Sequence, residues 1–328
     1  MLIENIELTM SHVGLGTLNE YALMVLFGNA HSHHLTKGLD ANPDEIKDAQ
    51  NFILYPAYFM THLKVPKNIL LNAYKIWNNV EIGVDVNRFG DTILESTYIL
   101  GNKNEIPLDI EKWEIDAFPS MRGCNLITID VTEQLGTSRR VSAPRPDCIA
   151  NLPKLKKPPE ALLKARTIRT NGFDLSINNK LTNTQPFIYD VICDQDAAPG
   201  HAMIFAKYVK IMDWAETILL TNNLQPGFQM EVIQNLSVIE REIYYYGNCF
   251  AGETLEVYIK GDINECEPDF HGEKFNIIST AILTFQIEIY QKKKNSLLAI
   301  AYVQKLLAIP TYMQDLIPDI KRIVKNIN

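Results

Sequence analysis

The chain has 328 residues, 46% hydrophobic and 21% charged, with a formal net charge of −8. That length suits two domains of ordinary size, and the composition is that of a globular protein with ample core. The acidic balance argues against a general nucleic-acid-binding role, and no apolar run approaches the roughly 20 residues of a membrane span. Five scattered cysteines without CxxC spacing argue against a disulfide scaffold or structural zinc site. The acidic N-terminus lacks a signal-peptide pattern, so a cytoplasmic location is expected.

In chain order, a strand is predicted over Ile3 to Met10, followed by the loop SHVGLGTLNE. A helix from Asn19 to about His34 follows, with Asn19 as N-cap and Leu23, Leu26, Phe27 and Ala30 on one face. Strands are expected at Phe52 to Val65, Val80 to Arg88, Thr92 to Leu100 and Cys124 to Val131, with a hairpin at Arg88 to Asp91. Pro56 should interrupt the first of these locally. Residues 141–185 carry five prolines and a basic cluster, the composition of a connector with one short helix at PEALLKAR.

The second half repeats the order. A short strand at Phe187 to Ile192 precedes a helix over Met203 to Leu220 with i, i+3, i+4, i+7 apolar spacing. Strands follow at Met230 to Leu236, Ile239 to Cys249, Glu253 to Lys260, Asn276 to Tyr290 and Ser296 to Leu307, with turns at Gly247, Gly252 and Gly261. The pattern divides the chain into an N-terminal domain (1–140), a linker (141–185) and a C-terminal domain (186–328). One helix followed by a run of strands, twice, is an α+β signature.

Several segments carry candidate chemistry. Gly14 and Gly16 precede a helix start, where free N–H groups and partial positive charge could polarise a carbonyl; a tight strand-to-helix turn is the plainer reading. Tyr55 and Tyr58 flank Pro56, which can aim a phenol into a cleft, although most such tyrosines simply pack. His31, His33 and His34 read as a surface cluster near a helix C-terminus rather than a metal site. Asp196 and His201 lie just before the second helix, placed for acid–base work or for capping. Basic stretches at Arg139-Arg140, at Lys154, Lys156 and Lys157, and at Lys292 to Lys294 are candidates for phosphate contacts or ordinary solvated loop charges.

The order of one helix and a run of strands in each half resembles a double hotdog, two antiparallel sheets each wrapping a long central helix. Within that class, MSHVGLGTLNE, ILYPAYFMTHLK, VDVNRFGDTILES and DAAPGHAMIFAKYVKIMDWAE are similar to the bifunctional acyltransferase/decarboxylase of the leinamycin polyketide pathway and its relatives. The resemblance covers most of the chain and is loosest in the linker. It implies conversion of methylmalonyl- or malonyl-coenzyme A to propionyl- or acetyl-acyl carrier protein through an acyl-tyrosine. Tyr55 is placed as nucleophile with Tyr58 as the other candidate, and Gly14, Gly16 and the Asn19 helix as enolate-stabilising donors. Acyl-coenzyme A and an acyl carrier protein are the implied partners, with no metal or cofactor beyond the carriers' own coenzyme A and phosphopantetheine. The DxDxxGH-like turn at Asp194 to His201 is also reminiscent of coenzyme A thioesterases, with Asp196 or Glu216 directing water. A non-catalytic carrier-binding protein is the third reading, and a monomer or homodimer the expected assembly.

Overall fold

A computed structural model describes residues 1–14, 17–37, 54–130, 140–142, 147–174, 181–196, 203–223, 233, 235–266, 277–310, 314–315 and 318, with the side chains of 54–56, 128–130, 140–142, 147–148, 193–194, 265–266, 277–280 and 310 left aside. The first half runs β1 (Leu2–Glu7), a small hairpin of β2 (Val13–Gly14) and β3 (Thr17–Leu18), α1 (Glu20–Thr36), β4 (Leu54–Lys64), β5 (Asn79–Phe89), β6 (Ile93–Asn102), β7 (Ser120–Asp130) and β8 (Arg140–Ser142). The second runs α2 (Glu160–Asn171), β9 (Leu181–Thr182), β10 (Phe187–Asp190), α3 (Cys193–Asp196), α4 (Phe205–Asn223), β11 (Leu236–Tyr245), β12 (Thr254–Cys266), β13 (Ile277–Gln291) and β14 (Ser296–Pro310).

Apart from the β2–β3 hairpin, the strands form one sheet in the order β1-β5-β6-β7-β4-β11-β14-β13-β12-β10, with β8 paired to β7 and β9 to β12. Read outward from the central antiparallel β4–β11 pair, the two halves have the same order. Thus β4, β7, β6, β5 and β1 correspond to β11, β14, β13, β12 and β10, and α1 corresponds to α4. This is a double hotdog whose two sheets are hydrogen-bonded edge to edge, Lys64 opposite Glu240 and Met60 opposite Tyr244.

Both long helices lie on the inner side of this sheet. Asn19 opens α1 as expected: its Oδ1 accepts the Ala22 N–H at 2.7 Å, satisfying one of the donors every helix start leaves unpaired. Beyond the cap, Leu23, Met24, Leu26, Phe27, Ala30 and Leu35 are all buried, so α1 is apolar around most of its surface, as a central helix must be. The first turn of α4 packs along α1. A Cβ on Gly28 would stand 3.0 Å from the Phe205 ring, and Lys207 sits 4.7 Å above the Tyr21 ring. The linker helix α2 covers the outer face instead, with Ala161 and Ile168 packed against Met60, Cys124, Tyr244 and Ile300.

The hairpin at Arg88 to Asp91 is present, with Gly90 at φ +64° between β5 and β6. Two expectations need correction. Gly261 is not a turn; it lies within β12 opposite Phe285, whose ring a Cβ there would approach to 2.8 Å. Here glycine serves close packing inside a strand. Pro56 does not break β4, which pairs with β7 from Leu54 to Lys64 and is irregular only between Tyr58 and Met60. Pairing with β11 is confined to Met60 through Lys64, so Pro56 falls where one edge of β4 has no β11 partner and its missing N–H is tolerated. The expected strand at Met230 to Leu236 lies mostly outside the described residues.

Candidate functional site

The pseudo-twofold arrangement creates two equivalent positions, one beside the start of each long helix. Different chemistry fills them. At the start of α1 there is a buried ion cluster drawn from both halves. The Arg241 guanidinium of β11, its side chain fully buried, donates to both oxygens of Glu20 in the first turn of α1. It also donates to Glu216 at 2.9 Å and Asp213 at 2.8 Å, both on α4. Lys305 of β14 joins the same carboxylates, 2.7 Å from Asp213 and 2.6 Å from Glu216.

Three carboxylates thus face two cations. Despite burial, Lys305 and Arg241 hold Asp213 below its ordinary value. The surplus falls on Glu20, which burial pushes from 4.5 up to about 7 against the pull of Arg241. Because the folded state favours protonated Glu20, its contribution to stability is full below about 4.5 and is lost as pH rises through about 7. Glu20→Gln should therefore remove a decline in unfolding free energy between pH 5 and 7, measured by urea titration at several pH values. A slope unchanged by the substitution would contradict this assignment.

Gly14 does not directly precede α1. It pairs with Thr17 in the β2–β3 hairpin, five residues before the cap, while Gly16 lies outside the described residues. The Glu216 expected as a water-directing carboxylate is committed to Arg241 and Lys305. At this first position each of the three carboxylates is paired with Arg241 or Lys305.

At the start of α4 the groups are neutral or unmatched. Asp196, at the end of α3, has no exposed surface. Its Oδ2 accepts the Tyr189 O–H at 3.0 Å and the Ile192 N–H at 2.9 Å, while its backbone carbonyl accepts the Ile204 N–H at 3.1 Å. The other carboxylate oxygen, Oδ1, is buried without a hydrogen-bond partner among the described residues. Burial and the bond to Asp196 push the Tyr189 phenol up to about 12, fixing it as donor. In the β11–β12 connection, where the Cys249 carbonyl accepts the Met203 N–H, Asn248 uses its Oδ1 to accept the Cys249 N–H at 3.1 Å and leaves its Nδ2 buried and unmatched. An unsatisfied buried polar group costs about 1–3 kcal/mol, so two at one helix start call for a ligand or water.

The first half supplies the adjoining wall. Tyr58 stacks at 4.3 Å between ring centroids on Phe205, the first residue of α4, and its hydroxyl lies 2.7 Å from that of Tyr98. Tyr98 is 2.7 Å from His31 Nδ1, Ser96 is 3.1 Å from the same nitrogen, and Asn125 Nδ2 is 3.1 Å from His31 Nε2. Burial drives His31 down to about 3 and the Tyr58 phenol well above its ordinary value, so both are neutral. Tyr58 packs on Gly123, where a Cβ would come within 2.5 Å of its ring.

The surface reading of the histidine tract is thereby corrected. Only His33 reaches solvent, paired with Glu4 at 2.7 Å, whereas His31 and His34 are buried. Tyr55 is placed opposite Thr128 in the β4–β7 ladder, and its side chain, like His201 as a whole, lies outside what is described. Among the described residues no group of three or more His, Cys, Asp or Glu is placed to hold a metal ion, and no helix is long and apolar enough to cross a membrane.

No protein-family model matches the chain, and no curated protein matches it in sequence. Solved structures do match. One is an acyl-ACP thioesterase from Bacteroides thetaiotaomicron, with TM-score 0.53 and 11% identity over 92% of this chain and 96% of that one. Another, provisionally described as an oleoyl thioesterase from Lactobacillus plantarum, has TM-score 0.54 and 12% identity over 94% and 96%. At such identities the likeness establishes the hotdog fold.

Proposed function

We propose that this chain hydrolyses acyl thioesters of coenzyme A or acyl carrier protein, at a single site beside the start of α4. The observation that carries this reading is Asp196: buried, anchored through Oδ2, and presenting an unmatched Oδ1 where a helix N-terminus adds partial positive charge. A water held by Oδ1 gives its proton to Asp196 as its oxygen attacks the thioester carbonyl. The tetrahedral adduct then collapses, the C–S bond breaks, and the thiol leaves with that proton. Description of the two structural neighbours as thioesterases is in keeping with this chemistry.

The acyl-tyrosine route requires an ionisable phenol. Tyr58, the second candidate, does not offer one, because burial raises its pKa and its hydroxyl is bonded to Tyr98, while the side chain of Tyr55, the first candidate, lies outside what is described. Intact masses separate the two reactions. The protein is incubated with acetyl-, butyryl-, octanoyl- and methylmalonyl-coenzyme A and a phosphopantetheinylated carrier protein, and both proteins are weighed. Free acid with an unloaded carrier is the expected result. Propionyl on the carrier would favour acyl transfer with decarboxylation instead, and binding without turnover a non-catalytic protein.

A further inference from the structure

Asn248 lies in the connection between β11 and β12. Its Oδ1 accepts the N–H of its own neighbour, Cys249, at 3.1 Å, which sets the plane of the amide and leaves Nδ2 as a buried donor without an acceptor among the described residues. The connection is in turn bonded to the entry of α4. The Cys249 carbonyl accepts the Met203 N–H at 3.0 Å, and the Asp196 carbonyl accepts the next N–H, that of Ile204, at 3.1 Å. Two consecutive amides thus clamp the Asn248 segment and the Asp196 segment on either side of one helix start. The Cys249 thiol also lies 3.6 Å from the Met203 sulfur, which closes the same junction. A buried acceptor and a buried donor, both unmatched, are carried by the two segments bonded to this helix start.

An acceptor and a donor are the two groups that a thioester under attack by water needs. The acceptor takes the water's hydrogen, and the donor takes the carbonyl oxygen on which negative charge develops. Resting on the hydrolase reading of this site, we propose that Asn248 is the catalytic donor that polarises the thioester carbonyl and holds the oxyanion. Its Nδ2–H bond strengthens as the carbonyl carbon becomes tetrahedral and relaxes when the C–S bond breaks, so it acts in the transition state more than in the bound substrate. The amide is neutral throughout and transfers no proton.

The test is thiol release from acetyl-, butyryl- and octanoyl-coenzyme A by the wild-type chain, Asn248→Ala and Asn248→Asp, across a range of pH. For Asn248→Ala the expected result is a fall in kcat of about 10²–10³, the usual effect of losing one oxyanion donor, with KM changed only a few-fold. Its pH profile keeps the wild-type shape, which a disturbed Asp196 would not leave unmoved. Asn248→Asp preserves shape, replaces the donor by an acceptor, and should fall at least as far. If either folded variant keeps a near-wild-type kcat, or if only KM rises, the role of Asn248 is wrong while the hydrolase reading stands. If the wild-type chain releases thiol from none of these substrates, the hydrolase reading falls and the role of Asn248 falls with it.

Discussion

Asp196→Asn is expected to lower kcat for thioester hydrolysis by about 10²–10⁴, the range over which a positioned general base contributes. The substitution is nearly isosteric. An amide oxygen retains the bonds from Tyr189 and Ile192, so the turn ahead of α4 keeps its anchors. What disappears is the ability of the second atom to accept a proton from water, since an amide nitrogen at that place donates. Thiol release at saturating substrate reads the effect, and thermal unfolding shows whether the fold is retained. Activity within tenfold of wild type in a folded variant would remove Asp196 from the mechanism.

The largest stability effect belongs to the opposite position. Arg241→Ala should destabilise the protein by about 3–5 kcal/mol, because one partner of a buried ionic cluster is removed and the others stay. Arg241 is the common partner of Glu20, Asp213 and Glu216, so its loss leaves three carboxylates around Lys305. These carboxylates sit on both long helices, so the damage reaches the junction of the two halves. Urea unfolding reads the change. A loss below about 1 kcal/mol would mean that water enters the junction and solvates the carboxylates.

Much of the architecture is legible in the sequence because it is local. The Asn19 cap, the apolar face of α1, the Arg88 to Asp91 turn and the helix in the linker each depend on residues within a few positions of one another. The histidine tract could have been read better. His31 and His34 are three apart and continue the face of Leu23, Phe27 and Ala30, whereas His33 is turned to the side of it and pairs with Glu4. Adjacency in sequence suggested one exposed cluster; helical phase separates its members. Gly261 likewise sits within a β-branched run, where close packing is as good a reading as a turn.

The ion cluster was beyond sequence reasoning as a set, since Glu20 and Arg241 meet across 221 positions. Single members do carry a signal: Glu216 interrupts the apolar stripe of Met212, Ala215 and Leu219. Asp196 stands out because an acidic turn precedes a helix. Asn248 gives no such sign, because its meaning depends on the bond between Cys249 and Met203, which only the folded chain brings together.

In the proposed reaction only one of the two pseudo-equivalent positions, that at α4, performs chemistry. This is tested by thiol release from the acyl-coenzyme A series using wild type, Asp196→Asn and Glu20→Gln side by side at pH 7. The expected result is turnover by the wild type, retention of most of it in Glu20→Gln, and loss of at least about 10²-fold in Asp196→Asn. Loss in Glu20→Gln with Asp196→Asn still active would place the reaction at the start of α1 and contradict it.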